Sequence, residues 1–303
     1  MDGIIPLYKE RGLTSFDCVA KLRHILHTKK VGHSGTLDPS VDGVLPICIG
    51  SATKVVPYLM ASGKVYRGTV TLGLATTTED LDGDVVERQA LTRPFTLAEL
   101  TAGTAQLTGT IQQTPPMYSA VKVRGRKLYE YARAGETVER PTRTVTVDHF
   151  TLQDAGTFDA DAGTQTVAFE VGCSKGTYVR TLAVDLGRLL GVPAVMASLT
   201  RQQSGGFTLD QTVTLDQVAA AMAAEDLTTI LRPIDYALTA YPHVALSDRV
   251  WQLVKNGVFL TAAELDGATA PEVALTYQGA TKCLYQWSEE KQQYKPLKMF
   301  AVN

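Results

Sequence analysis

Between Lys30 and Gly50 the chain reads KVGHSGTLDPSVDGVLPICIG, and no other stretch restricts the fold as much. Gly32, Gly35, Pro39 and Gly43 interrupt it at short intervals. Glycine admits left-handed backbone and proline lacks the N–H that a helix or central strand needs, so the spacing predicts an irregular loop. At its centre is one acid, Asp38, directly before Pro39. Asp-Pro favours turn initiation, so a plain turn accounts for the pair taken alone. Residues 45–49 (LPICI) are apolar and partly β-branched. They can enter the core as a helix turn or as a buried strand, and either would anchor the loop rigidly.

The 303 residues suffice for one large domain plus a small one, and for a substantial core. A hydrophobic content of 45% and a charged content of 20% are those of an ordinary soluble globular protein. The net charge of −2 offers a polyanion no overall attraction, so a nucleic-acid partner would have to be met by a local basic surface. Cys18, Cys48, Cys173 and Cys283 lie far apart without a C-x-x-C pair, which predicts neither a zinc site nor a disulfide framework and fits a reducing cytoplasm. No leader-like basic-then-apolar start and no run of membrane-spanning length is present, so a soluble, unexported protein is expected.

In chain order, residues 4–8 read as a short strand and residues 9–12 as a turn. Ser15 is placed to cap a helix whose Val19, Leu22, Ile25 and Leu26 recur at three-to-four spacing. The tail of that helix carries Lys21, Arg23, His24, His27, Lys29 and Lys30. Capping of the helix dipole and phosphate binding both account for these cations. Residues 51–60 read as helix and 64–74 as an alternating strand with Tyr66 near its start. The following acidic stretch, 76–85, has Asp80, Asp82 and Asp84 at alternate positions. It lacks the glycine of an EF-hand loop, since Val85 stands there, and reads as a solvated turn.

Thr96 and Glu99 form a capping box opening a helix to about residue 107. Residues 113–143 then carry seven cations (Lys122, Arg124, Arg126, Lys127, Arg133, Arg140, Arg143) against Glu130, Glu136 and Glu139, a surplus of four. Tyr118, Tyr129 and Tyr131 are interleaved, a composition suited to a phosphate backbone and unstacked bases. Val167, Phe169 and Val171 alternate as a strand. Ser174-Lys175-Gly176-Thr177 then turns the chain into a helix with Val179, Leu182, Ala183, Leu186 and Leu190 on its apolar face. Tyr178 and Arg180 fall on its first turn, where a helix N-terminus and a guanidinium can hold a carboxylate ionised. A further capped helix opens at Thr214–Gln217. After residue 240 the pattern changes to one helix, closed by Asn256-Gly257, and short strands near Val273, Cys283 and Lys298.

The spacing G-H-S-G-T-L-D-P-x-x-x-G-x-L-P around Asp38 resembles the signature loop of the TruB family of tRNA pseudouridine synthases. The likeness extends over residues 1 to about 210 and includes Lys64-Val65-Tyr66-Arg67, QTPPMYSAVK at 113–122, KLYEYAR at 127–133, SKGTYVR at 174–180 and Leu199-Thr200-Arg201. The resemblance implies an α+β fold with a mixed, largely antiparallel sheet flanked by helices. It implies a catalytic domain over 1–240, with a thumb-like RNA-binding insertion at 113–143, and a small β-rich, PUA-like domain over 241–303. It makes Asp38 the catalytic carboxylate, Tyr66 the ring stacked on the target uracil, Tyr178 a second ring and Arg180 the ion-pair partner of Asp38. His33 would enter the RNA stack where the base leaves, and Leu199 would line the pocket. Lys64, Lys122, Arg126 and Arg201 would bind substrate. Glu10 departs from the family's usual Lys-Pro, and Thr77 from a common T-D-T.

The implied reaction converts uridine 55 of the tRNA T-loop to pseudouridine. It is redox-neutral, so no cofactor or metal is expected, and the sequence shows neither a P-loop nor a metal cluster. A carboxylate could serve as nucleophile or as base, after the base is flipped out of its stack onto aromatic rings. The partner would be the tRNA T-arm, with no obligate protein partner and a monomeric protein. Two other classes fit parts of the chain. A glycoside hydrolase could use Asp38 with Asp42, and a non-catalytic RNA-binding or RNA-folding module would keep the basic segment without needing Asp38.

Overall fold

The structure, a computed structural model, describes residues 1–300. Among these the larger sheet has ten strands. Its main path runs Gly3–Lys9, Asp42–Ile49, Ala194–Ser204, Lys64–Leu72, Thr164–Cys173, Arg143–Leu152 and Gly109–Gln113. All these neighbours pair antiparallel except Asp42–Ile49 with Ala194–Ser204, which meet in parallel at Thr200↔Asp42 and Arg201↔Gly43. The α+β class read from the sequence is therefore the one observed.

Alternation explains the strands: Val167, Phe169, Val171 and Cys173 point to one face and are buried. With Val70, Leu72 and Met196 they pack beneath the helices Leu97–Gln106 and Val179–Leu190, which contribute Leu100, Leu182, Ala183 and Leu186. Another cluster joins Ile5, Leu7, Leu45 and Ile47 to the helix Ser15–Ile25 through Val19 and Leu22, and to Val218 of the helix Leu215–Ala223. The capping boxes at Thr96/Glu99 and Thr214/Gln217 are both formed.

Of the two alternatives for the apolar run 45–49, the buried strand is the one formed. Several other local expectations are corrected. Gly32 and Gly43 lie inside strands Val31–His33 and Asp42–Ile49 rather than in a loop. Gly43 is needed there for a different reason. Its φ is +112°, and a methyl group at this position would lie 2.3 Å from the Arg201 carbonyl oxygen across the parallel junction. The helix over 15–25 is capped by Thr14, which accepts from Asp17 N–H, so Ser15 is its first residue. Residues 51–60 split into a 3₁₀ turn, Gly50–Val55, and a short helix, Val56–Ala61. The strand expected to run to residue 74 stops at Leu72 and resumes as Leu74–Thr76, which pairs with Val85–Arg88. The turn between them is not wholly solvated, because Thr76 and Asp80 are buried.

Residues 243–299 build a second, four-stranded sheet in the order His243–Ala245, Glu272–Tyr277, Ala280–Ser288, Gln293–Met299, around Trp251, Val254, Tyr285 and Tyr294. It is attached to the main body by an apolar cluster in which Ala274, Leu284 and Phe300 meet Ile4, Val44, Cys48 and Leu59. Among the described residues no helix is long and apolar enough to cross a membrane.

Gly43→Ala should destabilise the fold by about 2–4 kcal/mol, since it adds both a strained φ and a clash with backbone that cannot swing away. Chemical denaturation against the parent protein measures this, and an unchanged midpoint would show that the junction accommodates a methyl group.

Candidate active site

A cleft of about 480 Å³ opens where the 34–41 loop, the strand Lys64–Leu72, the 113–143 segment and the start of the helix Val179–Leu190 converge. Asp38, Tyr66, Tyr178, Arg180 and Leu199, separated by up to 161 positions in the chain, all line it. The Asp38 carboxylate is 41% exposed, and its Oδ2 is 2.9 Å from Nη2 of Arg180, which is only 7% exposed. The same guanidinium donates from Nη1 to the Thr78 carbonyl (2.8 Å) and from Nη2 to the Tyr118 carbonyl (3.0 Å), and its Nε faces Asp80 Oδ2 at 3.7 Å. A buried cation needs compensation of this kind, because an unpaired one would cost several kcal/mol.

Asp80 was not singled out by the sequence; nothing there distinguished it from Asp82 and Asp84, which stay exposed. Burial pushes its carboxyl up, while the Thr78 hydroxyl, Arg180 and the Asp82 N–H, which both hydroxyl and amide donate to its Oδ1, hold it down.

The loop bearing Asp38 is braced at Gly35, Leu37 and Pro39. Lys9, fully buried, donates from Nζ to the carbonyls of Pro39 (3.3 Å), Leu13 (2.6 Å) and Glu10 (3.0 Å). Burial lowers its pKa, with Asp42 and Asp38 among the groups opposing that shift. The Ser15 hydroxyl accepts from Leu37 N–H (2.8 Å), and Gly12 N–H donates to Pro39 O (2.8 Å). Arg201, 1% exposed, donates from Nε to Val44 O (2.7 Å) and from Nη2 to Gly35 O (3.3 Å). Lys9 and Ser15 escaped the sequence reading because each looked like ordinary turn and cap chemistry.

The other expected residues divide into two groups. Lys64 lines the cleft, and burial together with the nearby Arg201 brings its pKa down to about 8, so it remains mostly cationic at neutral pH. Burial raises the Tyr66 phenol, keeping it a neutral ring. His33, Lys122 and Arg126 are not among the lining residues. His33 is partly buried, accepts from Gly35 N–H on Nδ1 (3.2 Å), and has its pKa lowered by burial and by Arg201. Arg126 pairs with Glu136 (2.8 Å) and lies 4.2 Å from the Tyr131 ring centroid, while Lys122 is exposed on the hairpin formed with Lys127. From the basic segment it is Tyr118, Ser119, Ala120 and Tyr129 that reach the cleft. Asp42 is occupied elsewhere, accepting from the Tyr8 hydroxyl (3.1 Å), Arg11 Nε (3.2 Å) and the Thr200 hydroxyl, so the carboxylate pair required of a glycosidase is not assembled.

A single half-exposed carboxylate held by a buried guanidinium, with aromatic and aliphatic side chains around it, is suited to nucleophilic or base chemistry on a planar ligand. Comparison with known proteins agrees. The family model described as TruB family pseudouridylate synthase, N-terminal domain, matches residues 23–179, and that of the tRNA pseudouridylate synthase B C-terminal domain matches 180–239. The tRNA pseudouridine synthase B of Levilactobacillus brevis is 81% identical over 303 residues, and that of Lactiplantibacillus plantarum 61% over 306, with 100% of both chains covered in each case. A crystal structure of a Cbf5-Nop10-Gar1 complex aligns with a TM-score of 0.74 at 28% identity, covering 99% of this chain and 85% of that one. With matched family models spanning the loop, the strand and the helix that form the cleft, the chain belongs to the TruB family of pseudouridylate synthases.

Proposed function

We propose that the protein isomerises uridine 55 in the T-loop of tRNA, with Asp38 as the catalytic carboxylate. The observation that carries this reading is the Asp38–Arg180 pair at the cleft wall, its carboxylate half-exposed and its guanidinium nearly buried. The bond from uracil N1 to the ribose C1′ breaks, the base turns within the site, and C5 joins the same carbon. The proton released from C5 is balanced by the one gained at N1, so no net oxidation occurs. Asp38 can assist by attacking the sugar or by removing a proton. Arg180 holds the carboxylate aimed into the cleft, Asp80 and the Thr78 carbonyl hold Arg180, and the Tyr66 and Tyr178 rings and Leu199 receive the flipped base.

The T-arm is the part of tRNA gripped, and the protein acts in the cytoplasm as a monomer without an obligate protein partner. Residues 1–240 form the catalytic domain, 113–143 the thumb, and 241–303 a PUA-like second RNA contact. Lys64, Lys122, Arg126 and Arg201 serve substrate binding, the first three through phosphates and the buried Arg201 by shaping the wall of the cleft. His33 enters the RNA stack at the vacated position. The names of the relatives at 81% and 61% identity support tRNA as substrate.

Asp38→Asn should fold and bind tRNA normally yet form no pseudouridine at position 55, with a single-turnover rate lower by several orders of magnitude. Nucleotide-resolution pseudouridine mapping reads this out, and a rate within about tenfold of the parent would overturn the assignment. Asp42→Asn should stay active.

Asp80→Asn removes the second carboxylate facing Arg180 and should slow the reaction by about 10²-fold through misaligned Arg180, with tRNA affinity nearly unchanged. Parent-like turnover would reduce Asp80 to a structural residue. Replacing Lys122 and Arg126 by alanine should weaken all tRNAs alike and flatten the salt dependence of binding by about one unit of slope per lost phosphate contact. An unaltered slope would leave Lys122 as a solvated side chain and Arg126 engaged only with Glu136 and Tyr131.

A further inference from the structure

The 113–143 segment meets the start of the helix Val179–Leu190 at two points. One is the Tyr118 carbonyl on Arg180. The other is the side chain of Gln113, last residue of the strand Gly109–Gln113 and 2% exposed. Its Nε2 donates to the Tyr178 carbonyl (3.0 Å), and its Oε1 accepts from Tyr178 N–H (2.7 Å). The amide thus pairs with the Tyr178 backbone as a neighbouring strand would. Its orientation follows from the partners, since a backbone N–H only donates and a carbonyl only accepts.

Tyr178 is the residue at which extended backbone (φ −99°, ψ 110°) becomes helix, and no side chain of its own caps the turn. Its carbonyl also accepts the first helical bond, from Leu182 N–H (3.1 Å). The phase of the first helical turn is therefore set from outside by Gln113. Two residues on, Arg180 has to bring one face of its guanidinium to Asp38 and another to Asp80. A small rotation of this turn, at about 100° per residue along a helix of 3.6 residues per turn, would carry the guanidinium away from both and swing the Tyr178 ring out of the cleft.

We propose that Gln113 is a positioning residue for the isomerisation: by clamping both backbone groups of Tyr178 it fixes the Tyr178 ring and the Asp38–Arg180 pair without touching the substrate. This rests on the functional reading above. It also assigns the root of the segment a role separate from its tip. Gln113 anchors the root of the segment to the helix Val179–Leu190, while the cations beyond it, such as Arg126 on Glu136, are held only by surface contacts.

The test is single-turnover pseudouridine formation with enzyme in excess, at several tRNA concentrations. Gln113→Met keeps length and volume but loses both hydrogen bonds. Its maximal rate should fall by about 10- to 100-fold, the scale of a 1 Å misplacement, with tRNA affinity within about twofold of the parent. Gln113→Asn retains an amide too short to reach both groups and should fall between the two. A Gln113→Met protein with a lowered melting temperature but a parent-like maximal rate below it would overturn the proposal by showing a purely structural role. So would a rate loss recovered at high tRNA concentration, which marks a binding residue. If Gln113→Met fails to fold, Gln113→Asn decides: a parent-like rate overturns the proposal and a reduced maximal rate supports it. An inactive parent would overturn the functional reading and this inference with it, whereas an active parent with unaffected variants overturns this inference alone.

Discussion

The buried guanidinium of Arg180 is the contact on which the site depends. Four acceptors converge on it, from Asp38, Asp80, Thr78 and Tyr118, and they belong to three separate stretches of chain that have no other common meeting point among the hydrogen bonds described. Each acceptor alone would be a modest interaction. Together they compensate a cation that the surrounding apolar core, with Val179, Leu182 and Met196 nearby in the same cluster, could not otherwise hold. Because the charge cannot be left unpaired, the arrangement is cooperative: the acidic turn, the segment and the Asp38 loop are each constrained by the other two.

The second requirement is a carboxylate that does not move. Loops usually exchange conformations readily, but this one has its carbonyls and N–H groups bonded to Lys9, Gly12, Ser15 and Arg201, all four outside any strand ladder. A fully buried lysine whose hydrogen bonds go to three carbonyls is expensive in desolvation, which its lowered pKa reflects. What that cost secures is a rigid backbone on both sides of Asp38, so that its carboxylate is held in place rather than reoriented by loop motion. Gly43 contributes by letting the Arg201 backbone approach the strand that follows the loop.

The basic segment has a divided character. Its inner end is tied to the helix Val179–Leu190 by Gln113 and Tyr118, and its outer end is a hairpin of two-residue strands and a six-residue helix held by Leu128, Tyr131 and the Arg126–Glu136 pair. Exposed ion pairs of that sort contribute about 0–1 kcal/mol, so they can open toward a phosphate without unravelling the core. Tyr118 at the inner end and Tyr129 on the outer helix both line the cleft.

Much of this was legible in the chain. Period-two and period-3.6 patterns marked the strands around Val167–Cys173 and the helix carrying Leu182 and Leu186, capping boxes marked two helix starts, and the Asp38 loop with its family spacing pointed to the residues that line the cleft. These signals are local, and local backbone preferences together with a side-chain period are enough to write them. Asp80, Lys9, Ser15 and Gln113 were not legible, and neither was the retreat of Arg126 onto Glu136 and Tyr131. Asp80, Lys9, Ser15 and Gln113 act across 22 to 100 positions of sequence, as Lys9 does on Pro39 and Gln113 on Tyr178, and Arg126 reaches Glu136 across a turn of the segment. The sequence determined which residues have the chemistry; only the packing of the sheet against its helices decided which of them are buried together, and burial is what makes a charge or an amide choose one partner over water.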